Sequence, residues 1–109
     1  MNKMIVVYWR DIPAQVIGRK GRRTVYKAVL GERFQQTIDR AAMRAGRGSS
    51  DKYLEDWRRV SQPCGEDIEL AVTREIARFE NEFSDQRLDE IARAGGFVEN
   101  AQPDSDIRP

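Results

Sequence analysis

Residues 4–9 read Met4-Ile5-Val6-Val7-Tyr8-Trp9, the longest uninterrupted apolar run near the N-terminus. β-Branched and aromatic side chains favour strands, so this run predicts a β-strand that is buried on both faces. Residues 11–13 should end it, because Pro13 has no amide hydrogen to donate to a neighbouring strand. The run is also too short to cross a bilayer or to form the apolar part of a signal peptide.

Two more strand candidates follow this segment. Residues 14–17 are a short strand or an extended connector. Residues 24–30 have the alternating side chains of a strand, in which successive residues lie on opposite faces. The alternation puts Val25, Lys27 and Val29 on one face of the second candidate, as expected for a half-buried strand. Between the two candidates, residues 18–23 combine two glycines with four cationic side chains. They predict a flexible cationic turn.

The rest of the chain has helical periodicity. Over residues 32–45 the apolar positions, from Phe34 and Ile38 to Ala45, form one continuous stripe. A short second helix should carry Tyr53 and Trp57 and run to about residue 59. A longer helix is expected over about residues 66–82. A last helix should begin at a Ser84 cap and end at a pair of glycines, residues 95 and 96.

These segments predict one α+β domain over residues 3–97. It should contain a small N-terminal sheet of two to three strands followed by about four helices. Residues 98–109 combine acidic residues and two prolines with few apolar ones, so we expect a disordered tail there. The chain has 109 residues, which is enough for one hydrophobic core.

Charge is divided unevenly along the sequence, although the net charge is only +1. The first fifty residues carry eleven Lys and Arg against three Asp and Glu, and the remainder carries eight against fifteen. The chain has no histidine and a single cysteine, Cys64. These counts exclude a Ser-His-Asp triad, a Cys-His pair and an intramolecular disulfide, and they leave too few Cys and His ligands for a structural zinc site. We therefore expect a cytoplasmic protein with no catalytic residues, no metal and no cofactor of its own.

The segment from Val16 to Arg23 resembles the KH signature, in which a Gly-x-x-Gly loop clamps a nucleic-acid backbone. Glycines allow backbone N–H groups to approach phosphates, and cationic side chains neutralise them. The likeness covers about 20 residues and ends there. A KH fold continues with a helix, further strands and a final helix, whereas the sequence after this segment predicts mainly helices. The candidate residues for binding an anion or a partner are Gly18, Arg19, Lys20, Gly21, Arg22 and Arg23.

A second partial likeness runs over residues 23–59. A strand, a helix with Phe34 and Ile38, a glycine stop and a helix with Tyr53 and Trp57 follow one another in the order of a ribbon-helix-helix repressor. In that family the strand pairs across a dimer and enters the major groove. In this chain an apolar strand precedes the motif, and the strand offers few long polar side chains for reading bases.

A third likeness spans residues 4–59 and is more specific. Its opening segment is Tyr8-Trp9-Arg10-Asp11-Ile12-Pro13-Ala14-Gln15-Val16, and it continues in Glu32-Arg33-Phe34-Gln35, Ile38-Asp39-Arg40-Ala41-Ala42-Met43, Tyr53-Leu54 and Trp57-Arg58. These segments resemble small bacterial proteins of the "virulence factor" domain family. The resemblance implies an accessory role beside corrinoid and methyltetrahydrofolate methyl-transfer proteins, and it carries no catalytic residues over to this chain.

A secondary candidate surface lies at the end of the first strand, at Tyr8, Trp9, Arg10 and Asp11. Arg10 and Asp11 are either a polar pair in a site or a structural ion pair, and the structural role is favoured. Together these observations predict a non-catalytic accessory module that binds a protein partner and not a membrane; a homo-oligomer is compatible with them. The first alternative is a nucleic-acid-binding protein that uses the cationic turn with KH-like or ribbon-helix-helix-like geometry. The second is an enzyme, which would have to rely on carboxylates, Tyr, Lys or a borrowed cofactor.

Overall fold

The computed structural model describes residues 2–98, which form an antiparallel sheet and a set of helices packed against it. The strands are β1 (Asn2–Trp9), β2 (Ile12–Lys20), β3 (Thr24–Val29) and β4 (Trp57–Pro63). The helices are α1 (Glu32–Arg44), α2 (Ser50–Glu55), α3 (Ile68–Glu82) and α4 (Asp85–Arg93). The strand order is β3-β2-β1-β4, and every neighbouring pair is antiparallel. The α+β class is therefore confirmed; of the tail predicted over residues 98–109, all but Val98 lies outside the described residues.

The prediction of two to three strands was wrong by one strand. The second helix ends at Glu55 and not near residue 59, and Trp57–Pro63 forms the fourth strand. In that strand Val60 pairs with Val6, and Trp57 pairs with Trp9. The spacing of Tyr53 and Trp57 fits one helical face, but backbone pairing with the free edge of β1 favours the extended form instead.

Strand β2 is longer than predicted, and Pro13 lies inside it. The pairing of β1 with β2 shifts between Val7 and Tyr8, so Pro13 lies opposite Tyr8 beside this irregularity. Bulges are among the few places where a strand tolerates proline, because no ladder hydrogen bond is needed there. The chain turn that separates the two strands is therefore confined to Arg10 and Asp11.

The predicted helical stripes form the core. Phe34, Ile38, Val72, Leu88 and Ile91 are each at most 1% exposed. Helix α3 packs across β1, β2 and β3, while α1 and α4 pack on each other. The N-cap of α4 is Ser84, as predicted, and its side chain accepts a hydrogen bond from the backbone N–H of Arg87.

The helices pack on one face of the sheet. The alternate side chains of each strand lie on the opposite face. Tyr8 contacts Phe79 of α3, which identifies the helix side, and strand alternation then assigns the opposite side. We call this opposite side the open face. Its residues are Lys3, Ile5, Val7, Gln15, Ile17, Arg19, Val25, Lys27, Val29, Arg59, Ser61 and Pro63. The shortest dimension of the Cα trace, 21 Å, fits one helix layer on one sheet.

Candidate interaction surface

The predicted cationic turn is the tip of a β-hairpin. Lys20 of β2 pairs with Thr24 of β3, so only Gly21, Arg22 and Arg23 form the turn. Gly21 has φ +66°, a left-handed conformation that glycine adopts without steric cost, and a Cβ there would meet nothing within 4 Å. We call the tip of the β2–β3 hairpin, residues 18–24 with the four cations Arg19, Lys20, Arg22 and Arg23, the basic hairpin.

Gly18 belongs to the strand and not to the turn, which differs from the sequence interpretation. A Cβ on Gly18 would lie 2.9 Å from Cγ2 of Val72 and 3.0 Å from Cβ of Ile68. Glycine therefore allows α3 to approach β2 closely, and this contact explains its presence without any bound anion. A KH-like clamp needs residues 18–21 in one loop, whereas here residues 18–20 continue the β2 ladder.

Strand β3 also differs from the arrangement of a ribbon-helix-helix repressor. In such a repressor the strand pairs with its copy in a second subunit. Here Thr24–Val29 pairs with β2 of the same chain over its whole length, so one of its two edges is already occupied.

The cations of the basic hairpin have no carboxylate partner within residues 2–98. None of Arg19, Lys20, Arg22 and Arg23 forms an ion pair or a side-chain hydrogen bond with that part of the chain. The acidic helices instead bind arginines elsewhere: Arg33 contacts Glu80 at 3.0 Å, and Arg78 contacts Glu75 at 2.6 Å. The acidic second half of the described chain thus leaves the hairpin charges uncompensated.

The open face extends this unpaired positive charge across the sheet. It adds Lys3, Lys27 and Arg59, all exposed and all without an ion pair among the described residues. No aspartate or glutamate is among the twelve side chains of the open face. A surface that carries positive charge without negative charge attracts anionic partners and raises their rate of association.

The secondary candidate surface is a structural corner. Trp9 is fully buried, and its indole Nε1 donates to the backbone oxygen of Tyr53 at 2.8 Å. Arg10 has φ +54°, and its guanidinium donates to the backbone oxygen of Gly95 at 2.8 Å. It also lies 3.3 Å from a carboxylate oxygen of Asp56.

Asp11 completes this corner with partners of its own. It contacts Arg58 at 3.1 Å and accepts a hydrogen bond from the backbone N–H of Val98 at 3.0 Å. Arg10 and Asp11 therefore each hold a different segment against the β1–β2 turn, and among the described residues they form ion pairs with Asp56 and Arg58 and not with each other.

Tyr8 is half-buried at the same corner. Burial raises the pKa of its phenol above the ordinary 10.0, and the Arg58 guanidinium, 4.4 Å from the ring centre, partly opposes that shift. The phenol is therefore protonated at neutral pH, and it can donate a hydrogen bond but cannot act as a base there.

Metal binding, membrane insertion and thiol chemistry each require features of their own within residues 2–98. This part of the chain contains no cluster of three or more His, Cys, Asp or Glu side chains suited to a metal ion. None of its helices combines the length and the apolar character that a membrane crossing requires. Cys64 is a half-buried free thiol just after β4.

Comparison with known proteins relates most of the chain to one family. No curated protein matches it, and no solved structure does. A family profile described as Virulence factor matches residues 7–92, a segment that begins in β1 and ends in α4. The match covers more than half of the chain, including β2, β3, β4 and the basic hairpin but only the last three residues of β1. The chain therefore belongs to the Virulence factor family.

Proposed function

We propose that this chain is a non-catalytic accessory protein of the bacterial cytoplasm, which binds an acidic protein partner through the basic hairpin. One observation carries the proposal: four cations project from a two-stranded hairpin, and no carboxylate of residues 2–98 neutralises them. Exposed cations that have no partner within their own chain are available to the carboxylates of another protein, and such complementarity speeds association.

The resemblance to the family suggests which partners to test first. Its members accompany corrinoid and methyltetrahydrofolate methyl-transfer proteins, so we propose a purified corrinoid protein and a purified methyltetrahydrofolate methyltransferase as probes. Their binding to this chain is measured by calorimetry at about 50 mM and about 200 mM salt. Because exposed ion pairs are screened, we expect binding to weaken as salt rises.

The hairpin is tested with three substitutions, Lys20→Ala, Arg22→Ala and Arg23→Ala, combined in one variant. All three side chains are exposed, so the variant should fold. Each exposed ion pair contributes about 0.2–1 kcal/mol, so the combined loss should weaken binding about tenfold.

A matched control removes the same charge from elsewhere on the surface. Arg44, Lys52 and Arg74 are exposed and have no ion pair with the described residues. Their combined replacement by alanine should leave the affinity nearly unchanged. Equal loss in the two triple variants would mean that net charge alone governs binding, and it would refute the hairpin as a docking site.

Nucleic acid is the second candidate, favoured by the same unpaired cations. A protein that contacts several phosphates releases counterions, so its binding falls steeply between about 50 and about 200 mM salt. Titration of mixed-sequence single-stranded DNA and RNA with the full chain measures this slope. Absence of binding at the lower salt would exclude the nucleic-acid function.

A further inference from the structure

We propose that the open face and the basic hairpin together form the docking surface for an amphipathic helix of the partner protein, a helix with an apolar stripe flanked by carboxylates. This inference rests on the proposed function and extends it from the hairpin to the whole sheet. Three features of the open face support it, namely its apolar centre, the position of its cations and its lack of aromatic side chains.

The centre of the open face is apolar. Ile5 and Ile17 are paired on the two middle strands and are already buried within the chain, at 5% and 4% exposed, while Val7, one row further along, is half-buried. Val29 on the edge strand is 71% exposed. The solvent side of an antiparallel sheet is ordinarily polar, whereas this row of valine and isoleucine resembles the side that packs on helices. The apolar surface left for a second helix layer to bury is therefore that of the valines, Val7 together with Val29 and the 38% exposed Val25 of β3.

Cations flank this apolar centre on both sides. Lys27 lies on β3 at one edge of the sheet, and Arg59 lies on β4 at the other edge. Three strand spacings separate these two strands, or about 14 Å. A helix with its side chains is about 10–12 Å wide, so it fits between the two cations and can present carboxylates to each. Lys3 of β1 pairs with Arg19 of the basic hairpin, so the positive charge of the hairpin continues onto the middle of the sheet.

The chemistry of the face favours a protein helix over nucleic acid. Sheets that bind single-stranded nucleic acid stack bases on exposed aromatic side chains. The twelve residues of the open face include no Phe, Tyr or Trp. The accessible valines offer a nucleic acid no stacking platform, but they can contact the leucine stripe of an amphipathic helix.

The test is an NMR titration of the full chain with a synthetic helical peptide of about 18 residues, which carries a leucine stripe flanked by glutamates. We expect amide shift changes at Val7, Ile17 and Val29 as well as at the hairpin. A scrambled peptide of the same composition, without the stripe, should bind at least about tenfold more weakly, since its apolar groups cannot face the sheet together.

A charge-reversal variant tests the two flanking cations directly. Lys27→Glu combined with Arg59→Glu should weaken binding of the striped peptide at least about tenfold, because attraction becomes repulsion on both sides. The control combines Arg44→Glu with Arg74→Glu, which makes the same change in net charge on the helices and should have little effect.

Several outcomes would overturn the inference. Shift changes confined to residues 20–24, with full affinity in the charge-reversal variant, would leave the hairpin as the docking site and exclude the open face. Equal binding of the scrambled peptide, or absence of binding, would exclude the helix. Tighter binding of single-stranded DNA to the same residues would assign the face to nucleic acid. The proposed function is judged separately, by the alanine variant of the hairpin and the methyl-transfer proteins.

Discussion

Gly18→Ala distinguishes a packing role of this glycine from an anion-binding role. The new Cβ would lie 2.9 Å from Cγ2 of Val72 and 3.0 Å from Cβ of Ile68, with the Ile68 backbone oxygen at 3.2 Å. The backbone of α3 contributes to this crowding, so rotation of one side chain cannot relieve it. Overpacking of this kind costs about 1–3 kcal/mol. A chain of this size loses about 2 kcal/mol per M urea, so the midpoint of urea unfolding should fall by about 1 M.

Two comparisons make this prediction specific. Gly65→Ala adds the same methyl group where nothing lies within 4 Å, and it should leave the midpoint nearly unchanged. Gly18→Ala combined with Val72→Ala removes the closest contact, so the double variant should lose less stability than the two single losses added together. Circular dichroism in urea measures all four variants. A stable Gly18→Ala protein that has lost partner binding would refute the packing argument and restore the anion-binding role.

Two further predictions concern contacts between elements. Arg33→Ala should lower the free energy of unfolding by about 1–2 kcal/mol. Arg33 joins α1 to the Glu80 side chain and to the backbone oxygens of Glu80 and Phe83. An unchanged urea midpoint would contradict this prediction. The raised pKa of Tyr8 contributes stability that is complete below its unfolded value of 10.0 and is lost as pH rises through the folded value. Between about pH 9 and about pH 11 the urea midpoint of Tyr8→Phe should therefore decline less than that of the original chain, and equal declines would contradict the assignment.

The fold pairs many of the arginines with carboxylates but leaves those of the basic hairpin without such partners among residues 2–98. Arginines of the helices and of the β1–β2 corner are largely held by carboxylates, as in the contact of Arg40 with Asp89 at 2.9 Å. The basic hairpin is not held in this way, although the whole chain is close to neutral. Neutrality in the composition therefore coexists with a strongly positive local surface, because ion pairs form only between groups that the fold brings together.

Local patterns were sufficient for most of the elements. The stripe of Phe34 and Ile38 predicted α1, the alternation of Val25, Lys27 and Val29 predicted β3 and its two faces, and Ser84 predicted the start of α4. These features depend on neighbours within a few residues, on side-chain periodicity and on capping groups, so they can be recognised without knowing the rest of the chain.

Tertiary structure decided the features that depend on distant residues. Trp57–Pro63 is a strand because the free edge of β1 lies beside it, and Gly18 is a packing residue because α3 crosses β2 at that point. The sequence alone determined that the first half is basic and that residues 18–23 concentrate its charge. Only the fold decided that this charge stays unpaired among residues 2–98 and continues across a sheet face, because pairing and exposure depend on which surfaces come together in space.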